Sequence, residues 1–261
     1  MTNLSPYYKE FPPPDCLASI IGTFWCFATH DVTAHSQDSI QHRVLPDGCM
    51  DLIFQCQRSP NGKIYNPQLT IYGSTDRFSL VDIKPATEFV GVRFHPGMAG
   101  LLLKLKPLKL FQQEARAQDC SPEFVKVFDQ LCECSSIKQA LNTLQISLLA
   151  LQKTDCHDIS LSAREALRLI TTTNGRMPVS QMAATIGVSE RTLRRGVTAA
   201  VGLCPKVLAR ILRFQNAVAC LRALEAADLC HLALECGYAD QAHMAREFQQ
   251  LSGLTPTTFM S

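Results

Sequence analysis

The feature that most constrains this chain is an internal repeat in its last third. Val179 to Pro205 lies over Leu229 to Pro256 with an offset of 50 residues at first and 51 after a one-residue insertion in the turn. Ala183 and Gly187 match Ala233 and Gly237. After the insertion Ser189 matches Asp240, Leu193 matches Met244, Arg195 matches Arg246 and Val197 matches Phe248, while Gly202-Leu203-x-Pro205 matches Gly253-Leu254-x-Pro256. Each unit spells a short helix, a turn and a second helix. Gly187 and Gly237 stand where a helix must stop and the chain reverse, a place that favours positive φ. Ser189 and Asp240 can accept hydrogen bonds from the free N–H groups that open the next helix. Leu193 with Val197, and Met244 with Phe248, are four apart and form apolar stripes against the preceding helix.

The faces opposite those stripes are polar. In the first unit they carry Glu190, Arg191, Arg194 and Arg195, and in the second Gln241, Ala242, His243 and Arg246. Arginine suits a bidentate bond with guanine, glutamine one with adenine, and the first turns of a recognition helix are the part that reaches base edges in the major groove. All eight are therefore candidate DNA-contacting residues. Arg191, Arg194 and Gln241 are the candidate base readers, whereas Arg195, Arg246 and the nearby Arg210 suit phosphate equally well, which positions without specifying. Residues 160–261 hold 11 Lys+Arg against 7 Asp+Glu, a net +4, and the rest of the chain carries −2. A single cationic helix is as readily a solvated surface. Two units with matched caps, glycines and core residues are not explained that way. Between them Pro205 to Leu224 has apolar residues at helical spacing and a leading proline suited to a first turn, so this helix would fix the separation of the units.

The segments MAATIGVSERTLRR, VGLCPKVLARILRFQNAV and LALECGYADQAHMAREFQQLSGLTPTTF resemble the DNA-binding domain of the AraC/XylS family of transcription regulators. The resemblance runs from about Ser160 to Ser261. It implies an all-α domain of seven helices, with a first helix-turn-helix over 179–202, a linker helix over 205–224 and a second helix-turn-helix over 229–253. It further implies two recognition helices entering successive major-groove segments on one DNA face, roughly 34 Å apart. Two departures from an ideal module matter. Gly196, inside the first recognition helix, costs about 1 kcal/mol relative to alanine and would loosen that unit. Ala242 and Ala245 leave the second helix few long readers, so specificity there would rest on Gln241, His243 and DNA shape. The first unit is accordingly expected to supply most base discrimination and the second more of the docking.

Residues 1–155 read differently. Ser19 to Phe27, Gln41 to Leu45, Cys49 to Cys56, Leu69 to Tyr72, Phe78 to Ile83 and Glu88 to Phe94 are short β-rich runs separated by turn residues, Pro46-Asp47-Gly48 above all. Met50, Leu52, Phe54 and Cys56 would share one face. After His95-Pro96-Gly97 the period changes to helical through MAGLLLKL, Pro122 to Cys134 and Ser136 to Gln152. The polar stretch Lys153 to Asp158 is the expected boundary. The whole is thus an α+β chain: a β-rich first domain, either a cupin-like barrel or a sandwich, with trailing helices, and an all-α second domain. PDGCMDLIF (Pro46 to Phe54) and GVRFHPGMAGLLL (Gly91 to Leu103) resemble an uncharacterised family of domains found ahead of AraC-type modules.

Charge embedded in these strands marks Asp51, Arg93 and His95. They either line an effector pocket, with Arg93 taking a carboxylate or phosphate, or pair with one another and with backbone groups, and the second reading is favoured. His30, His35, His42 and His95 are too dispersed for a metal site, and no metal or cofactor is expected. Cys132-x-Cys134 with Cys156-His157 is the candidate thiol or soft-metal switch, which supports the alternative of a thiol- or metal-responsive regulator, although such cysteines are more often small buried residues. Without a Ser/His/Asp set, a phosphate-binding loop or a dinucleotide fingerprint, catalysis is not expected. No apolar run approaches the roughly 18 residues of a membrane span, and the N-terminus lacks a signal peptide. The expectation is a cytoplasmic, nucleoid-associated regulator, an activator with double-stranded promoter DNA and RNA polymerase as partners. A small-molecule effector and homodimerisation would act through its first domain.

Overall fold

Period-2 alternation along CMDLIFQC builds the centre of the first half of the molecule: Met50, Leu52, Phe54 and Cys56 are all buried, while the residues between them are half-exposed. The computed structural model describes residues 7–29, 39–59, 61–152, 159–223 and 228–260. Contacts between residues divide the chain into two units. The first comprises Met1–His42, Cys49–Gly73 and Val81–Asp158, and the second Arg43–Gly48, Ser74–Leu80 and Ile159–Ser261. The expected boundary at 153–158 lies outside the described residues.

The strands are β1 (Tyr7–Phe11), β2 (Ile21–Ala28), β3 (Ile40–Val44), β4 (Met50–Arg58), β5 (Ile64–Tyr72), β6 (Ser79–Ile83), β7 (Thr87–Phe94) and β8 (Glu114–Arg116). Six form one sheet in the order β1-β2-β7-β4-β5-β8, antiparallel throughout, and β3 pairs with β6 separately. Among the described residues this is an open sheet and neither a closed barrel nor a sandwich of two large sheets. Helices take the covering role that a barrel wall would have: α1 (Ala99–Leu103), α2 (Ala117–Cys120), α3 (Glu123–Cys132) and α4 (Ile137–Gln152). α4 lies against β2 and β7, and α3 against β5. Phe24, Leu52, Phe54, Val92 and Phe94 on the sheet and Phe124, Leu131, Leu144 and Leu148 on the helices are buried, each contributing about 1.5–3 kcal/mol on removal from water. The other sheet face carries a smaller cluster of Trp25, Phe27, Ile53, Ile83 and Phe89. Trp25 needs Gly91 opposite it, because a Cβ there would fall 2.2 Å from the indole ring.

Among the described residues the second unit holds seven helices, the number the resemblance implies: α5 (Leu161–Thr172), α6 (Val179–Ile186), α7 (Glu190–Val201), α8 (Pro205–Ala223), α9 (Leu229–Glu235), α10 (Gln241–Ser252) and α11 (Pro256–Met260). α8 is the linker helix. Leu208, Ile211, Phe214, Val218 and Leu221 along it are buried, so one apolar stripe serves both repeats.

Candidate nucleic-acid interface

The repeat positions fold as their chemistry dictates. Gly187 and Gly237 have φ of 76° and 81°, at the reversal between α6 and α7 and between α9 and α10. Ser189 Oγ accepts from the Thr192 amide at 3.1 Å, and Asp240 Oδ1 from the His243 amide at 2.6 Å, so each recognition helix opens on a satisfied N-cap. Leu193, Val197, Met244 and Phe248 are 0% exposed. With those residues inward, Glu190, Arg191, Arg194 and Arg195 on α7 are exposed, as are Gln241, Ala242 and Arg246 on α10.

Three residues of the candidate set carry further duties. His243 is half-buried; its Nδ1 accepts from the Ala239 amide at 3.3 Å, and its ring stands edge-on to Tyr238. With Nδ1 used as an acceptor, Nε2 carries the proton and is the donor left for a ligand. Gln241 Oε1 accepts from the Cys230 thiol at 3.0 Å, which fixes the orientation of its amide. Arg210 on α8 donates from Nε to Glu247 Oε1 at 2.7 Å and from Nη2 to Gln250 Oε1 at 2.8 Å. Its guanidinium therefore braces α8 against α10. Glu247 is only 8% exposed, and a carboxylate so placed requires its cation.

Gly196 lies within a helix that runs unbroken from Glu190 to Val201. A Cβ at this position would lie 3.1 Å from Ala163 Cβ, so the glycine is the point of close approach between α7 and α5. The local sequence of α7 does not reveal that contact. Cys230 and Glu247 are partners of candidate residues that the motifs do not mark. Their one available signal was position: Cys230 follows the helix-capping Asp228, and Glu247 interrupts an apolar stripe three residues after Met244.

In the β-rich unit Asp51 and Arg93 are register partners on β4 and β7. Arg93 Nε lies 3.4 Å from Asp51 Oδ1, and the Trp25 indole donates to the same oxygen at 3.0 Å. His95 is exposed and turned to the Ala18 carbonyl, 3.2 Å from Nε2. The geometry is thus the paired arrangement for Asp51 and Arg93, with His95 outside it. Burial pushes the Cys56 thiol up to about 11 and also raises Cys132, so both are held protonated and poorly nucleophilic at neutral pH. Cys134 is buried beside Thr143, and Cys156 and His157 lie outside the described residues.

Two capped helix-turn-helix units on one connecting helix define a tandem helix-turn-helix protein, the architecture of a DNA-binding transcription regulator. Residues 182–261 match the family model of a helix-turn-helix domain, and residues 9–116 match that of a domain of unknown function (DUF6597). The chain is similar to the C-terminal domain of AraT, a response regulator from Geobacillus stearothermophilus, at 21% identity over 40% of this chain and 87% of that one, TM-score 0.37. It is similar at 22% identity to an AraC-type DNA-binding transcriptional regulator from Chromobacterium violaceum, over 38% and 88% of the two chains, TM-score 0.35. ToxT from Vibrio cholerae aligns over 98% of this chain and 97% of its own at 11% identity, TM-score 0.44. A comparison with curated proteins finds no match. The two matched segments put a helix-turn-helix domain in the last third of the sequence and a domain of the DUF6597 family ahead of it. No helix among the described residues is long and apolar enough to cross a membrane.

Proposed function

We propose that this protein is a sequence-specific transcription regulator that reads two successive major-groove segments with α7 and α10. The observation that carries the reading is the pair of equivalent N-caps, Ser189 and Asp240, each opening a helix whose outward face holds Arg191 and Arg194 or Gln241 and Arg246. Arg191 and Arg194 are the principal base readers, Gln241 a further one, and Arg195 and Arg246 contact phosphate. Glu190, Ala242 and His243 Nε2 face the groove beside them. Arg210, engaged by Glu247 and Gln250, acts as a brace for the second unit.

The β-rich unit is the effector-responsive part of this reading. Asp51 and Arg93 neutralise each other, so the more suitable receptor is the groove of about 560 Å³ between β1, β2 and α4. Tyr7, Phe11, Phe24 and Ile137 give it an apolar lining and Lys9 and Lys138 two ammonium groups, chemistry suited to an amphipathic anion. Regulation is activation through RNA polymerase, by a homodimer, at promoter DNA in the cytoplasm.

Selection from randomised duplexes, followed by band-shift titration across salt concentrations, tests the central claim. The expected result is an enriched motif and an affinity that falls steeply with salt. Absence of an enriched motif with the full-length protein overturns it. Lys9→Ala and Lys138→Ala should abolish any response to an added long-chain carboxylate while leaving the motif unchanged.

A further inference from the structure

The second unit includes two short inserts from the first half of the chain, Arg43–Gly48 and Ser74–Leu80, and each ends one recognition helix. Ser74 Oγ, 1% exposed, donates at 2.6 Å to the carbonyl of Val201, the last residue of α7. Arg43 Nη1 donates at 2.6 Å to the carbonyl of Ser252, the last residue of α10. Val201 and Ser252 are equivalent positions of the repeat, immediately before Gly202 and Gly253. A third bond, from Gln215 Nε2 on α8 to the Pro46 carbonyl at 2.6 Å, ties the first insert to the linker helix.

Chemistry explains why these groups meet. The last four carbonyls of a helix lack partners within it, and a cation at that end also complements the helix dipole. Arg43 meets both needs at α10, and its guanidinium stacks 4.7 Å from the centre of the Phe78 ring, which belongs to the other insert. Gly253 makes the approach possible: a Cβ there would fall 2.5 Å from Phe78 Cζ and 2.9 Å from Arg43 Nη1. Along the chain the first insert runs directly into β4 and the second leaves directly from β5. Asp51 pairs with Tyr72, so the inserts root at the same end of two hydrogen-bonded strands.

We propose that the two inserts form a clamp that sets the spacing and angle of α7 and α10, with Arg43 and Ser74 as positioning residues for DNA readout. The inference rests on the reading that both helices enter DNA together. A clamp of this kind acts on the register between two half-sites and leaves each half-site's own base preference alone.

The test uses full-length protein carrying Arg43→Ala, Ser74→Ala or both. Hydrogen exchange is measured at the amides that close the two helices, Gly202 to Thr198 and Gly253 to Gln249. Exchange should accelerate about tenfold at the helix end whose cap is removed, the effect of losing one hydrogen bond. Unchanged exchange overturns the clamp whether or not the protein binds DNA. Band-shift titration on the selected motif, with the half-site separation altered by two base pairs, is the second measurement. The wild type should lose affinity on the altered spacing, and the double variant should lose several-fold less. Arg43→Lys, which keeps a cation and a donor, should restore part of the penalty. An equal spacing penalty in all variants, or a uniform loss on every duplex accompanied by lower thermal stability, overturns the clamp. A wild type that selects no motif overturns the DNA reading instead, and the exchange result still decides the clamp.

Discussion

The two helix-turn-helix units share one plan and differ in how much of each recognition helix is free. On α7 the outward residues Glu190, Arg191, Arg194 and Arg195 are exposed, and the helix is seated by aliphatic residues and by the close contact of Gly196 with Ala163. On α10 two of the candidate residues are partly committed to the scaffold, Gln241 through Cys230 and His243 through Ala239 and Tyr238. Its seat is aromatic: the Phe248 ring stands 4.8 Å from Phe214 and 6.0 Å from Phe259. The lesson is that a repeat can keep its caps and core while its two copies differ in how many outward side chains are already held by neighbours.

The seat gives the largest expected difference. Phe248→Ala should cost about 3–5 kcal/mol in urea unfolding, more than Val197→Ala at the equivalent position, because more atoms lose their contacts. Equal costs would break the contrast. Next come the readers. Arg191→Ala and Arg194→Ala should each remove about 1–3 kcal/mol of discrimination at particular bases, and Gln241→Ala less, as measured by binding to single-base variants of the selected motif. Larger losses from Gln241 and His243 than from the two arginines would invert the assignment. Gly196→Val should destabilise by about 1–3 kcal/mol, since the added methyls meet Ala163 across a contact already filled; a stabilised variant would return the glycine to being a mere weakness of the helix.

Smaller effects test what the units have in common. Ser189→Ala and Asp240→Ala should each cost about 1 kcal/mol and by similar amounts, because both remove one N-cap bond. The least energetic prediction separates two thiols of the second unit. Burial, with the Cys220 thiol beside it, pushes the Cys236 thiol up, so it is held protonated at pH 8, whereas Cys230 is exposed. Iodoacetamide should label Cys230 first, and the adduct beside Gln241 should weaken DNA binding modestly. Preferential labelling of Cys236 would contradict the packing.

Much of the second unit was legible in advance because its signals are local. A glycine before a serine or aspartate, then apolar residues four apart, specifies a turn, a cap and a buried stripe within about ten residues, and all of these formed. The sheet was legible where one face is buried, as along Met50 to Cys56. It was not legible at β1, where Tyr7 to Glu10 are all exposed and no alternation marks an edge strand, nor at the three-residue β8. Of the two forms expected for this region, a cupin-like barrel or a sandwich, the barrel does not close: the described strands make an open sheet against which α3 and α4 pack.

By itself the amino-acid sequence determined the tandem architecture and the cationic face of α7, since these follow from capping and periodicity read along the chain, while the number of seven helices came from the family resemblance alone. Only the tertiary structure decided which polar groups are already spoken for. Arg210 meets Glu247 across two helices, Asp51 meets Arg93 across two strands, and Gly196 packs closely against a helix some thirty residues earlier. Ser74 and Arg43 reach helix ends 127 and 209 residues away. Partnerships at such separations depend on where the chain returns in space, which no local pattern encodes.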